Sequence, residues 1–224
     1  MKTMILYRSK HHGNTKKLVD AVVNAFPEVE AIDVATLGKN EYPDLSEYPL
    51  VGVGTGIYYG EIDKDLARVL ANTLCEGQQV FALMTYGGKD KWYGKDIDGL
   101  CRMRKANFLT SYGCLGYDTW GPYKLMGGMW KDHPNDEDIQ GAIDHYQRLM
   151  DEYGDIIVDQ YEQARKRAAW AAAHPAGGLM ANIKRSAKKI ANKSAQKKHD
   201  RAPEHEAASA SDRAESADSP EANE

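Results

Sequence analysis

The sequence predicts an α/β three-layer sandwich built on a five-stranded parallel sheet, and three observations carry that expectation. Short apolar runs alternate with amphipathic helical stretches five times. The central runs, Leu50–Gly54 and Gln79–Met84, are apolar without alternation, as strands covered on both faces must be. The first apolar run opens through a polar loop directly into a helix, which gathers backbone N–H groups and the positive end of a helix dipole at one point. Right-handed crossovers leave few topologies for such a chain. An anion loop after the first strand favours the order 2-1-3-4-5, with ligands at the carboxyl ends of strands 1, 3 and 4.

Each element has its own warrant. Met4–Tyr7 is a short apolar strand, and Thr15–Phe26 an amphipathic helix closed by Pro27, with Asn14 or Thr15 available as its N-cap. Val29–Val34 alternates apolar and polar residues, the pattern of an edge strand. The stretch 38–49, with Tyr42-Pro43 and Tyr48-Pro49, reads as loop before the buried strand Leu50–Gly54. A helix is expected over Lys64–Leu74, a strand over Gln79–Met84, a helix over Lys95–Lys105 and a last strand over Asn107–Leu115. A strongly helical run then extends from about Asp136 past Tyr161.

Three unusual loops fall at the predicted carboxyl ends of strands 1, 3 and 4. The first holds Ser9, His11, His12, Gly13, Asn14 and Thr15, a set of hydrogen-bond donors suited to a phosphate. With Gly13 its only glycine, it does not match the glycine-rich dinucleotide fingerprint. The second, Thr55, Gly56, Ile57, Tyr58, Tyr59 and Gly60, pairs backbone freedom with two tyrosines, either of which could cover an aromatic ring. The third, Thr85, Tyr86, Gly87 and Gly88, lets the backbone approach a ligand closely and offers Tyr86 as a second ring contact. A planar, phosphorylated, redox-active ligand fits this chemistry. Flavin mononucleotide (FMN) has those parts: a terminal phosphate, a ribityl chain and an isoalloxazine.

The turn Ser9–Thr15 resembles the phosphate loop of the flavodoxin family, whose usual form is [Ser/Thr]-x-Thr-Gly-Asn-Thr. Here Ser9 stands one residue further from Gly13, and His11 and His12 occupy places usually held by hydroxyls. Gly54–Gly60 is similar to the second flavin loop of bacterial flavodoxin-domain proteins. Gly113–Asn135, ending in His133-Pro134-Asn135, resembles the segment after the last strand in a subgroup of single-domain members. The resemblance covers roughly residues 1–150. It implies the flavodoxin-like fold, FMN bound without a covalent link, and a role in electron transfer or flavin-dependent reduction of a quinone or related acceptor. A protoporphyrinogen-oxidase-like activity is an alternative within the same class. Lys and Arg are interspersed through residues 1–150, unlike the strongly acidic face of a shuttle flavodoxin.

The flavin would carry the chemistry, and no residue stands out as an obligatory acid or base, so none is assigned as catalytic. Adjacent His11 and His12 lack the spacing and third ligand of a metal site, and no metal is expected. The segment Gly116–Asn135 is too rich in Gly and Pro for a continuous helix, yet Tyr117, Trp120, Tyr123, Leu125, Met126, Met129 and Trp130 are too apolar for a solvated linker. It reads as a loop folded over its own side chains, or as a substrate platform or homodimer contact beside the flavin.

The chain of 224 residues divides into a domain over 1–165, a helical, basic extension over 166–190 and a disordered tail over 191–224. After Ile190 no aliphatic residue exceeds alanine in size, and no aromatic appears. The net charge of −4 averages the basic run Lys184–Arg201 against an acidic tail, so it says little about partners. The basic run suits a weak anionic partner. A non-catalytic binding module, engaging a partner through this tail, is the second functional class. No transmembrane or secretory segment is visible, and three widely spaced cysteines, Cys75, Cys101 and Cys114, fit free thiols in a reducing cytoplasm.

Overall fold

A computed structural model describes residues 1–174. The strands are β1 (Thr3–Arg8), β2 (Val29–Asp33), β3 (Leu50–Gly56), β4 (Gln79–Tyr86) and β5 (Asn107–Leu115). The α-helices are α1 (Asn14–Ala25), α2 (Lys64–Thr73), α3 (Lys95–Arg104) and α4 (Asp136–Ala173), with short 3₁₀ turns at Val34–Thr36 and Gly121–Met126. All strand pairs are parallel and the order is β2-β1-β3-β4-β5, as the sequence predicts. The two central strands β3 and β4 are buried at every position, whereas the edges β2 and β5 are partly exposed.

Alternation along β1 feeds two cores. Met4 and Leu6 join Val51, Val53, Leu66, Val69 and Leu70 under α2 and α3, and Ile5 and Tyr7 join Leu18, Val19, Val22, Phe81 and Tyr146 under α1 and α4. Each fully buried Leu, Val or Ile contributes about 1.5–3 kcal/mol. The face beneath α1 is kept thin by two glycines of β3. A Cβ at Gly52 would fall 2.7 Å from Phe81 Cζ, and one at Gly54 would fall 2.6 Å from Tyr7 Cβ and 2.8 Å from Val19 Cγ2. Helix α1 therefore lies close against β1 and β3, which fixes where its N-terminus points.

The strands outrun the apolar pattern. Thr55 and Gly56 are the last residues of β3, paired with Met84 and Thr85, and Tyr86 ends β4 opposite Leu115. These polar and small residues were expected in loops; ladder hydrogen bonds to flanking strands hold them in the sheet. Gly13, not Asn14 or Thr15, occupies the N-cap of α1, in the left-handed region at φ 69° with no side-chain cap.

Helix α4 begins with a reciprocal cap. Asn135 N–H donates to Asp138 Oδ2 and Asp138 N–H to Asn135 Oδ1, both at 2.9 Å, while His133 Nδ1 lies 2.5 Å from Asp138 Oδ2. The His133-Pro134-Asn135 segment thus starts the helix. Cys101 and Cys114 are buried, and burial, with Asp98 and Asp138 nearby, pushes their thiols up to about 12; Cys75 is half-buried. Met1–Ala169 form one compact unit, and a second begins at Trp170. Of the expected extension and tail, residues 175–224 lie outside the described residues. Among the described residues, no helix is long and apolar enough to cross a membrane.

Replacing Gly54 by alanine should destabilise the fold by about 1–3 kcal/mol, because the added methyl must displace packed core atoms. Urea unfolding of the variant checks this; an unchanged midpoint would show that α1 can move away without cost.

Candidate functional site

The parallel register brings the carboxyl ends of β1, β3 and β4 side by side, with Arg8 opposite Thr55 and Gly56 opposite Thr85. The loops that follow them therefore share one rim of the sheet. Beneath the rim, Thr15 and Thr85 are both buried, and their hydroxyls hydrogen-bond at 2.8 Å. Thr55 is buried too, donating to the Gly56 carbonyl at 2.8 Å. These three threonines form the floor of the site, and their hydroxyls are taken up by protein partners.

Loop one presents the start of α1. His12 and Gly13 both have positive φ, which turns the chain sharply into the helix. Ser9 Oγ accepts from Lys16 N–H at 3.3 Å, and the His11 carbonyl accepts from Asn14 N–H at 3.3 Å. Among the described residues, the N–H groups of Gly13 and Thr15 have no protein acceptor. Asn14 is buried, donating through Nδ2 to the Tyr117 carbonyl at 2.9 Å, and its Oδ1 is a buried acceptor without a partner.

Loop two separates its tyrosines. Tyr58 folds back beside Gly56, its hydroxyl accepting from Lys10 N–H at 3.2 Å and its ring 5.4 Å from His11. Burial raises its phenol above the ordinary value. Tyr59, at φ 56°, is 85% exposed, and its hydroxyl accepts from Trp120 Nε1 at 2.9 Å with the rings edge-on at 5.4 Å. Ile57 is half-buried, its N–H donating to the Thr85 carbonyl at 2.9 Å, and Gly60 turns the loop at φ 87°.

Loop three differs from expectation in one respect. Tyr86 turns toward β5, donating to the Gly113 carbonyl at 2.9 Å, and is buried. Gly87 and Gly88 form the loop proper. Their carbonyls accept from Trp130 Nε1 and Tyr93 OH, each at 2.9 Å.

A fourth segment, Gly116–Asn135, lies over the other three. His12 Nε2 and Thr119 Oγ1 are 2.9 Å apart, the His12 and Tyr117 rings are 4.1 Å apart, and Asp118 sits against Gly87. The segment also closes on itself through paired bonds between Asp118 and Met129 at 3.0 and 2.8 Å. Of the two readings open from the sequence, the packing favours a self-folded loop that also borders the site. Tyr117, Asp118, Thr119, Trp120 and Trp130 are site residues that the three-loop reading missed. Their aromatic and glycine content was the available signal.

The cations around loop one are paired with carboxylates. Arg8 lies 3.6 Å from Asp33, and Lys10 lies 2.5 Å from Asp63 Oδ2. Asp63 is buried and caps α2 by accepting from Asp65 N–H at 2.9 Å and Leu66 N–H at 3.2 Å. Burial alone would raise its carboxyl; the Lys10 ammonium and the two N–H donors outweigh that and hold it below the ordinary value.

This fold and rim define a flavodoxin-like α/β protein. The flavodoxin domain matches residues 4–85. An uncharacterized protein of Methanocaldococcus jannaschii is 32% identical over 152 residues, covering 67% of this chain and 99% of that protein. Oxidised flavodoxin 1 of Bacillus cereus shares the fold with a TM-score of 0.50 at 16% identity, covering 68% of this chain and 99% of that one. The chain belongs to the flavodoxin domain family.

Asp63→Asn should cost about 1–3 kcal/mol near neutral pH, since a paired, capping carboxylate is lost. A carboxyl held low stabilises the fold above its unfolded value of about 4, and that stability is lost as pH falls through the lower folded value. The gap between wild type and variant should therefore shrink in acid. Denaturation curves across the acid range test it, and a gap independent of pH would remove the ionic contribution.

Proposed function

We propose that the protein binds FMN without a covalent link at the carboxyl ends of β1, β3 and β4, and serves in cytoplasmic electron transfer or flavin-dependent reduction of a small-molecule acceptor. The observation that carries this reading is the start of α1, where unpaired N–H groups of Gly13 and Thr15 meet Ser9, His11 and His12 at the positive end of the helix dipole. That donor set suits a phosphate dianion. Asn14 Oδ1, buried without a donor, suits a hydroxyl such as those of a ribityl chain. FMN, when bound, supplies the redox chemistry.

The remaining work falls to this chain's own side chains. Gly13 and the first turn of α1 would hold the phosphate, helped by the helix dipole. Thr15, Thr55 and Thr85 would keep the rim rigid from below rather than touch the ligand. Tyr59, with Trp120 edge-on against it, is the exposed aromatic pair able to cover one face of a planar ring. The Gly87-Gly88 backbone would lie at the ring edge. Trp130 and Asp118, resting on Gly87, would shield that edge from water and set which acceptors reach it.

The purified protein should be yellow or become so on adding FMN. Replacing His11 and His12 together by alanine should weaken FMN about a hundredfold, as two hydrogen bonds to a charged group are removed, and weaken riboflavin less. Titrations followed by flavin fluorescence decide it. Equal losses for the two ligands would place the phosphate elsewhere.

The domain boundary yields another expectation. The site and both cores lie within Met1–Ala169, so a chain ended after Gly178 should fold and bind FMN with unchanged affinity. A large loss of affinity on truncation would bring the C-terminal residues into the site.

A further inference from the structure

At the carboxyl ends of β1 and β2 the structure holds a cavity of about 390 Å³, within the roughly 300–1,000 Å³ of small-molecule pockets. Three walls supply its polar groups: Arg8 from the end of β1, Asp65 and Arg68 from α2, and Lys39 and Asn40 from the segment after the first 3₁₀ turn. Val34 and Leu37 form an apolar wall continuous with the core beneath α2. Arg8 follows Met4 and Leu6 on the sheet face that α2 covers, so the cavity and the start of α1 lie over opposite faces.

Hydrogen bonding, more than net charge, marks this cavity. Both guanidinium groups are half-buried. Arg8 Nη1 stands 3.6 Å from Asp33 Oδ1, an ion pair too long for a hydrogen bond, and that oxygen already accepts from Ala35 N–H at 2.9 Å. Arg8 Nε is buried without a partner among the described residues. Arg68 Nη1 donates to the Lys39 carbonyl at 2.7 Å, and the guanidinium lies 5.8 Å from the Tyr42 ring centroid, so one edge of the group is fixed. Its other terminal nitrogen, Nη2, is 3.8 Å from Asp65 Oδ1, again too far to bond. Glu41 spends Oε2 on Gly38 N–H at 2.9 Å. The carboxylates of Asp33, Asp65 and Glu41 thus offset the cations in charge yet leave guanidinium donors unfilled. A buried guanidinium N–H without an acceptor is costly, and a guanidinium offers donors only, so an acceptor-rich group belongs here. Donors arriving from three walls suit the three terminal oxygens of a phosphate monoester. A carboxylate has two, which a single guanidinium fork fills.

We propose that this cavity is an anion site of its own, which takes the phosphate of a small phosphorylated metabolite between Arg8 and Arg68. Exposed Lys39 lies alongside, and Val34 and Leu37 face the carbon body. The site does not depend on the flavin assignment.

Isothermal titration calorimetry of the full chain with glycerol 3-phosphate tests this. Wild type should bind it, with or without FMN, and more tightly than malonate. Arg68→Gln should weaken binding about tenfold or more, because charge-assisted hydrogen bonds are lost, and Lys39→Gln should weaken it less. Arg8→Gln should match Arg68→Gln, but Arg68 is the decisive position because it is the more open of the two. Unchanged circular dichroism and thermal midpoint without ligand show that each variant folds. Undiminished binding by Arg68→Gln overturns the proposal. So does an absence of wild-type binding, equal affinity for malonate, or displacement of glycerol 3-phosphate by FMN, which would make the two sites one. Failure of FMN to bind, with glycerol 3-phosphate still bound, counts against the flavin reading alone.

Discussion

The close seating of α1 against the sheet governs the rest of the molecule's architecture at its carboxyl edge. Gly54 lets the helix approach β3, and the buried Thr15–Thr85 bond at 2.8 Å pins its first turn to the end of β4. A buried hydroxyl pair of this kind contributes about 1 kcal/mol net, but leaving either hydroxyl unpaired costs about 1–3 kcal/mol. The position of the helix start is therefore tightly specified. Everything at the rim is measured from it: the turn through His12 and Gly13, the link from Asn14 to loop four, and the line along which the helix dipole acts.

Loop four is fixed from both ends. At its far end, the Asn135–Asp138 cap and His133 anchor it to α4, which is itself buried through Ala142, Tyr146 and Leu149. At its near end, Asn14 holds the Tyr117 carbonyl. Between these anchors, Trp120 and Trp130 each make one hydrogen bond to a different loop, to Tyr59 and to Gly87. Aromatic side chains bonded at their polar tips can order a long, glycine-rich segment because they have few rotatable bonds to fix.

The sheet was legible in the sequence because its signals are local. Apolar runs over 50–54 and 79–84 gave the central strands, and the glycine and polar density after each gave the loops. The strand ends were less legible. Thr55, Gly56, Thr85 and Tyr86 have loop-like composition, and only pairing with the neighbouring strand shows them to be sheet residues. The helix start was misread for a similar reason: Asn14 is a good cap in isolation, but its side chain is used 103 positions away, and Gly13 takes the cap. Loop four was visible as an aromatic cluster, yet its placement rests on contacts such as His12 to Thr119, 107 residues apart. No periodicity encodes a contact of that kind.

The division of labour at the rim follows from these placements. The threonine hydroxyls beneath the rim are consumed by internal bonds, so the groups left for a ligand are backbone N–H groups, Asn14 Oδ1, imidazoles and exposed aromatics. Backbone donors at a helix start need no side-chain entropy to organise, and among single substitutions only one to proline removes them. The variable part of such a site is then the covering loop, whose side chains differ in reach and polarity without disturbing the floor. Here that loop bonds Trp120 to loop two and Trp130 to loop three and leaves Leu125 and Met126 exposed. Both pairs ride on one segment closed by the Asp118–Met129 bonds.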